Sequence, residues 1–245
     1  MVLGLGIGAE YNYEAIRWSP HNVPPVGSLE LWLNHDDGQT VVSEQVSEWK
    51  DKSGNNRHAV QGAAGNRATF DNGALDFESG EGDHYDLGSQ VEIEEEDGFH
   101  IHIVCEVEST GTNMTIFGLN NIDHMLEFRA GGDNVRIRLG GTTTEIIPDS
   151  ANNFHQTAGK FLMSLVRKKG STGNLELYKN GSVLNQSSPA SNKLDAEFST
   201  LGVRNADRYF DGKIHEVLVY NSGNQDWTDI ELGFVFDYLT TKHNI

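Results

Sequence analysis

Apolar and polar residues alternate along the middle of the chain with a period of two. Between residues 99 and 108 the odd-numbered positions 101 to 107 are Ile, Ile, Cys and Val, whereas the even-numbered positions are mostly His and Glu. Successive side chains of a β-strand point to opposite faces. The pattern therefore predicts a strand that buries Cys105 and turns a solvated or half-buried polar face outward. Residues 135–139 repeat the alternation.

Further strands are indicated towards the end of the chain. Asn180-Gly181 separates two apolar runs at 175–178 and 183–184, and this dipeptide favours the type I′ turn of a β-hairpin. Residues 214–220 predict another strand, with Ile214, Glu216, Leu218 and Tyr220 on one face. With 27 glycines marking turns, the pattern predicts an all-β fold, a two-sheet antiparallel jelly-roll sandwich.

The last segment has a different period. Trp227, Ile230, Phe234 and Tyr238 recur at helical spacing, which predicts one C-terminal helix over 224–243 packed against the sandwich by this stripe. Acidic residues near its start and basic residues near its end favour the same interpretation, because they complement the helix dipole.

Two parts of the chain are predicted to differ in role. Residues 1–28 form an extended N-terminal arm that closes with a stiff Pro-Pro linker, and residues 29–245 form the sandwich domain including the C-terminal helix.

The chain carries 18 basic and 36 acidic residues, a formal charge of −18. Such a surface repels nucleic acid and anionic membranes, and no apolar run has transmembrane length. We therefore expect no nucleic-acid partner and no membrane insertion.

Five segments in register carry a family resemblance. They are LWL at 31–33, WKDKSGNNRHA at 49–59, LDF at 75–77 with GDHYDL at 82–87, LYKNG at 177–181 and FDGKIHEVLVYN at 210–221. Together they resemble the concanavalin A-like lectin/glucanase (laminin-G-like) domains, of the kind found in bacteriophage structural proteins. The resemblance implies a sandwich in which Trp32 and Trp49 are core residues, with stacking on a sugar as the alternative for either ring.

The sequence offers incomplete catalytic and metal patterns. His100-x-His102 with Glu106 has the local spacing of a cupin metal site but lacks the surrounding glycines, and Glu95-x-Asp97 begins a glucanase triad whose third place is taken by His100. We therefore expect no enzyme and assign no catalytic residue. Acidic residues at 36–37 and at 78, 81, 83 and 86 leave calcium open. No metal and no cofactor is assigned.

One loop combines the groups that bind sugars. Asn205, Asp207, Arg208 and Tyr209 precede the closing strand and supply an amide, a carboxylate, a guanidinium and an aromatic ring. We predict glycan contact there, with an ordinary polar turn as the alternative.

Two biological roles compete. The chain starts at Met1 without a signal-like segment, and its arm over 1–8 is apolar and glycine-rich. This favours a non-enzymatic virion structural protein, a bacteriophage capsid decoration or tail-fibre component. Residues 1–28 would contact other virion proteins, and the domain, in several copies or as a homo-oligomer, would face a host surface glycan. The alternative is a secreted, extracellular bacterial carbohydrate-binding module or adhesin domain.

Overall fold

The computed structural model describes residues 19–22, 28–108, 111–130, 134–146, 155, 159–169, 174–186 and 194–245. Their strands are β1 (Ser28–Leu33), β2 (Gln39–Val42), β3 (Gln45–Trp49), β4 (Ala59–Val60), β5 (Thr69–Asp71), β6 (Ala74–Phe77), β7 (Tyr85–Ile93), β8 (Gly98–Val107), β9 (Met114–Gly118), β10 (Met125–Phe128), β11 (Val135–Leu139), β12 (Thr142–Ile146), β13 (Phe161–Arg167), β14 (Leu175–Lys179), β15 (Ser182–Gln186), β16 (Ala196–Leu201) and β17 (Gly212–Gly223). One α-helix, α1 (Asp229–His243), follows them, and short 3-10 turns occur at Pro20–Asn22 and Ala64–Asn66.

The described strands form an antiparallel β-sandwich, as the sequence predicts. One layer has the order β15-β14-β13-β8-β17, with β6 and β1 sharing the far edge of β17. The facing layer has the order β12-β11-β10-β9-β16-β7-β4-β3-β2. Strand β5 pairs with both β3 and β6 and so joins the layers at one edge. The central strands are thus enclosed on both sides, and none of their pairings needs a crossover helix.

Side chains from both layers fill the interior of the sandwich. Ile101, Ile103 and Cys105 of β8 meet residues such as Val91 and Phe198 of the facing layer in one apolar cluster. The prediction that Cys105 is buried is confirmed, since its side chain is fully enclosed. The inward-facing residues of β8 and β11 are the apolar positions of the period-two pattern in their sequences.

The predicted face of the closing strand is correct for Glu216, Leu218 and Tyr220 and wrong for Ile214. The register of β17 against β8 shifts between Ile214 and Glu216, which marks a β-bulge at His215. Ile214 therefore points into the sandwich together with Val217 and Val219. Leu218 and Tyr220 point to the opposite side of the layer. A single extra residue moves the side chains after it to the other face.

The C-terminal helix is shorter than predicted, and only part of the predicted stripe packs against the sandwich. It begins at Asp229 because Thr228 and Glu231 form a capping box, in which each side chain accepts from the other residue's backbone N–H. Of the predicted stripe, Trp227 and Tyr238 pack against the sandwich, whereas Ile230 and Phe234 are 72% and 48% exposed. The buried face is instead formed by Leu232, Val235, Phe236 and Leu239. These residues have the same spacing in another phase, so periodicity alone predicted the helix but not its contact face.

The helix covers the outer face of the β8–β17 layer. Its buried residues form a second apolar cluster with Val104, Leu162, Val166, Leu218, Tyr220 and Trp227. A carboxylate lies within this contact: Glu216 is fully buried and accepts hydrogen bonds from Trp32 Nε1 at 2.9 Å and Lys242 Nζ at 2.8 Å. The helix is therefore held by apolar packing and by a compensated buried charge.

The turns predicted from the sequence form as expected. In the β14–β15 hairpin, Asn180 and Gly181 have φ angles of 49° and 79°, as a type I′ turn requires. After β3, the carboxylate of Asp51 accepts from the backbone amides of Trp32, Ser53 and Arg57. Residues 49–59, which carry much of the family resemblance, are thus a structural turn.

Part of the predicted arm contacts the sandwich. Pro20 is buried, and its carbonyl accepts a hydrogen bond from the Tyr220 hydroxyl at 3.2 Å. His21 packs edge-on against Trp32 with ring centroids 5.3 Å apart. Pro20–Asn22 form a 3-10 turn, whereas residues 1–18 and 23–27 lie outside the described residues. The division at residue 28 stays a prediction.

The core role of Trp49 gives a testable consequence. Its ring is fully buried, and its Nε1 donates to the carbonyl of Asn34 at 3.0 Å. We expect Trp49→Ala to lower the free energy of unfolding by about 3–5 kcal/mol. The substitution leaves a cavity, and the Asn34 carbonyl loses its hydrogen-bond donor. Urea denaturation followed by circular dichroism measures this. Val183→Ala, at a side chain that is 55% exposed, serves as the control. A loss below about 1 kcal/mol for Trp49→Ala would contradict a core role.

Candidate functional site

The loop between β16 and β17 has an unusual backbone. Asn205, Ala206 and Arg208 adopt φ angles of 48°, 52° and 58°, in the left-handed region that disfavours residues with a Cβ atom. The backbones of Arg204 and Asp207 close the turn by hydrogen bonding in both directions. Such strain persists only where the surroundings impose it, and it is concentrated at binding and catalytic sites.

This loop borders a cleft of about 500 Å³. Three of the four predicted glycan-binding residues, Asp207, Arg208 and Tyr209, line it. The other lining residues are Ser79, Gly111, Thr112, Asn113 and Ala130. Asn205 is exposed on the same turn but does not line the cleft. The structure thus brings a carboxylate, a guanidinium, a phenol ring, an amide and two hydroxyls together on one concave surface.

Arg208 is held in place by a carboxylate that sequence reasoning missed. Its Nη1 lies 2.9 and 3.0 Å from the two carboxylate oxygens of Glu127, which is fully buried in β10. Arg136 of the neighbouring strand and Arg129 also contact Glu127, at 3.0 and 3.4 Å. Three guanidinium groups thus surround one buried carboxylate, in a chain of net charge −18. No local motif signals this cluster, because its members come from three separate segments.

The remaining side chains of the loop are also positioned from outside it. Asp207 is paired with Arg204 at 3.2 Å but is 64% exposed, so its carboxylate is open to a ligand. Tyr209 is half-buried, lies beside His84 with ring centroids 5.8 Å apart, and covers Gly82. Its ring is therefore supported on one side while it borders the cleft.

A second concavity lies between α1 and the β14–β15 hairpin. Its volume is about 670 Å³, and its lining includes Lys168, Glu176, Tyr178, Asp229 and Asp237. Lys168 is paired with Glu176 at 2.9 Å, and the Tyr178 hydroxyl donates to the same carboxylate at 2.7 Å. The polar groups thus largely satisfy one another, and the acidic side chains outnumber the cationic one.

The polar face predicted for β8 is in fact buried under the helix. His100 stacks on Trp227 with centroids 4.0 Å apart, and His102 packs near Phe236 while its Nδ1 lies 2.8 Å from Ser164 Oγ. Burial lowers the pKa of His102 to about 3 and that of His100 well below its ordinary value. Both are neutral core residues. Glu106 does not join them, because it contacts His215 across the strand pair at 2.8 Å.

The acidic residues raised by the sequence lie in different environments in the structure. Glu95 and Asp97 lie in the turn between β7 and β8, where residues 94–96 are exposed, as expected of a solvated acidic turn. Asp83 is nearly fully buried, and burial raises its pKa to about 6. Its Oδ2 accepts the backbone N–H of Glu78. Of the described acidic residues, Asp76, Glu78 and Glu108 do lie together, as a largely exposed group.

Comparison with known proteins supports the fold and leaves the family undefined. No protein-family model matches the chain, and a sequence search of curated proteins finds no match. Many solved structures share the fold. The binding domain of Paraclostridial mosquitocidal protein 1 is similar with a TM-score of 0.55 and 17% identity, over 86% of this chain and 52% of that one. This chain therefore spans about half the length of that binding domain.

Two other similar structures contain bound sugars or sugar analogues. Domain 4 of AbnA, a GH43 extracellular arabinanase from Geobacillus stearothermophilus in complex with arabinotriose, has a TM-score of 0.50 and 16% identity, over 85% of this chain and 98% of that domain. Trypanosoma rangeli sialidase in complex with a difluoro-KDN has a TM-score of 0.54 and 14% identity, over 90% of this chain and 33% of that one. At these identities the likeness defines the β-sandwich fold alone. Among the described residues no helix is long and apolar enough to cross a membrane.

The buried histidines make stability depend on pH in a direction that can be worked out. The pKa of His102 is about 3 in the folded chain and about 6.5 when unfolded. Its contribution to stability is therefore complete above the unfolded value and is lost as the pH falls towards 3. Between about pH 6 and pH 5, the wild type should lose about 1 kcal/mol more of its unfolding free energy than His102→Gln does.

Urea denaturation at the two pH values measures the difference. His21→Gln, which removes an exposed histidine, serves as the control. Equal pH dependence of the wild type and His102→Gln would show that His102 titrates normally in the folded chain.

Proposed function

We propose that this chain is a non-enzymatic glycan-binding domain whose binding site is the cleft formed by Asp207, Arg208 and Tyr209. The observation that carries the proposal is the convergence of these side chains on a concave surface, on a turn whose strained backbone is imposed by its surroundings. Binding sites commonly lie on loops that a rigid β-scaffold positions. The central strands behind this loop provide such a scaffold.

Each lining group has a plausible partner in a sugar. The Tyr209 ring offers an apolar surface for the C–H face of a pyranose, and it is already supported by His84. The exposed Asp207 carboxylate accepts hydrogen bonds from sugar hydroxyls, and Asn113 borders the same cleft. Few side chains would need to be ordered on binding, because Arg208 is already held by Glu127.

The charge of the site favours acidic sugars. Arg208 belongs to a group of three arginines around the single buried carboxylate of Glu127. This cluster of arginines borders the cleft, whereas the chain as a whole carries −18. A carboxylate-bearing sugar would thus be attracted to this position more than to the rest of the surface, and its affinity would fall as salt is added.

The comparisons support the proposal at the level of the fold. The arabinanase domain was solved with arabinotriose. The binding domain of botulinum neurotoxin serotype D, similar at a TM-score of 0.51 and 14% identity, was solved with N-acetylneuraminic acid. The sialidase among the similar structures makes glycoside hydrolysis the alternative, and turnover of a bound glycan would favour it.

A glycan array followed by calorimetry on the best acidic oligosaccharide tests the proposed site. Tyr209→Ala and Arg208→Ala should each weaken binding by about tenfold or more, because one removes the stacking surface and the other a charged donor. Asn205→Gly is the matched control: it truncates a side chain on the same turn outside the cleft, at a φ angle that glycine adopts freely. Binding that survives both cleft substitutions would contradict the site, and an array without acidic ligands would contradict the function.

Display of this domain on a virus particle is the finer hypothesis. Its support is the net charge of −18, which keeps closely spaced copies from aggregating, together with the family resemblance of the sequence. Residues 1–28 would then bind other virion proteins, and several copies would face the host glycan. A secreted, extracellular carbohydrate-binding module or adhesin domain is the alternative.

Deleting residues 1–18 separates these roles. The deletion spares the contact between Pro20 and Tyr220, so the sandwich should keep its circular dichroism spectrum and its glycan binding. On the virion hypothesis the truncated protein should no longer be incorporated into particles, as measured by immunoblotting of purified particles. Normal incorporation, or recovery of the native protein free in the medium, would favour the secreted module.

A further inference from the structure

Three histidines from distant parts of the chain meet where α1 ends against the sandwich. His35 lies in the loop after β1, His215 is the bulged residue of β17, and His243 is the last residue of α1. Each offers a ring nitrogen, and these nitrogens all lie within 4.8 Å of one another. His215 and His243 are 7% and 3% exposed. No local spacing in the sequence connects the members of this group.

Two carboxylates orient the buried rings. His215 Nε2 lies 2.8 Å from Glu106 Oε1, and His243 Nε2 lies 2.7 Å from Glu216 Oε2. A neutral imidazole that donates from Nε2 to a carboxylate keeps the lone pair of its Nδ1 available. The Nδ1 atoms of His215, His243 and His35 are all buried, and none has a hydrogen-bond partner among the described residues. Unpaired buried polar atoms are costly, so three together require an explanation.

We propose that His35, His215 and His243 bind one divalent transition-metal ion, zinc being the best match. Neutral imidazoles are preferred zinc ligands, and three protein ligands with an open fourth position form a common zinc arrangement. Zinc-bound histidines typically donate their other ring N–H to a carboxylate, as His215 and His243 do here. Tetrahedral ligands about 2.1 Å from zinc lie about 3.4 Å apart. The rings would therefore close on the ion by roughly 1–1.5 Å.

The surrounding charges are compatible with a cation. Glu106, Glu216 and the exposed Asp36 contribute three negative charges, whereas Lys242 pairs with Glu216 and Asp36, and Lys160 acts on His215 from a distance. The site also lies at the C-terminal, negative end of α1.

A glycine allows His35 to reach this position. Gly73 lies in the β5–β6 turn at a φ of 89°, and a Cβ atom there would come within 2.6–2.7 Å of Cε1 and Nδ1 of the His35 ring. The ring therefore packs directly on the backbone of the turn. The proposed ion would join the β1 loop, the β17 bulge and the end of α1, and should thus stabilise the docking of the helix.

The proposal is tested by titrating the metal-stripped full chain with Zn²⁺. An excess of Mg²⁺ is present so that acidic side chains on the surface do not bind Zn²⁺. We expect one Zn²⁺ per chain with a Kd below about 1 µM and a rise in the melting temperature. His35→Ala should weaken binding at least about 100-fold, and Glu106→Gln by about tenfold, because the latter only loosens the His215 ring. His21→Ala, which removes an exposed histidine elsewhere, should bind as the wild type does.

Two outcomes would overturn the proposal. One is a wild type that binds no Zn²⁺ under these conditions, and the other is binding unchanged by His35→Ala. If His35→Ala does not fold, as judged by circular dichroism, a zinc-soaked crystal of the wild type decides. An anomalous zinc peak bonded to the three Nδ1 atoms supports the site, whereas a peak elsewhere or none contradicts it.

Discussion

The buried carboxylate of Glu216 is the interaction on which the packing of the C-terminal helix depends. Burying an isolated charge costs several kcal/mol, so it persists only when it is fully compensated. Hydrogen bonds from His243 and Lys242 overcome the effect of burial, which alone would raise the pKa of Glu216, and hold that pKa below its ordinary value. Trp32 adds a third donor from β1. Loss of one partner would leave the buried charge of Glu216 incompletely compensated. The stabilities of β1, β17 and α1 are therefore coupled.

The same helix explains why both faces of β8 and β17 are buried. One face fills the sandwich, and the other contacts α1. His100 and His102 are tolerated there as neutral rings, because Trp227 stacks on one and Ser164 hydrogen-bonds the other. The chemistry of this layer is therefore set by burial, and histidines that resemble a metal motif in sequence act as core residues. The histidines that do converge are others, and they include His215 of β17. The bulge turns His215 towards Glu106.

Much of the fold could be predicted from local pattern, and the site only in part. Alternation identified β8 and β11, and Asn180-Gly181 identified the late hairpin, because these signals depend on neighbours in sequence. The bulge in β17 and the buried face of α1 could not be predicted from the sequence, because both depend on tertiary packing. Asp207, Arg208 and Tyr209 were found because they are adjacent, whereas Glu127 was missed because β10 brings it to Arg208 from 81 residues away.

The structural comparisons and the cleft address different questions. The comparisons establish a β-sandwich shared with binding domains of very different sequence, and a shared fold does not determine a ligand. The cleft adds the side chains, the charge and the strained turn that a sugar would need. A crystal structure of the domain with the acidic oligosaccharide that it binds best tests this account most directly. The account predicts a sugar ring against Tyr209 with its carboxylate near Arg208. A sugar bound elsewhere, such as in the groove between α1 and the β14–β15 hairpin, would contradict it.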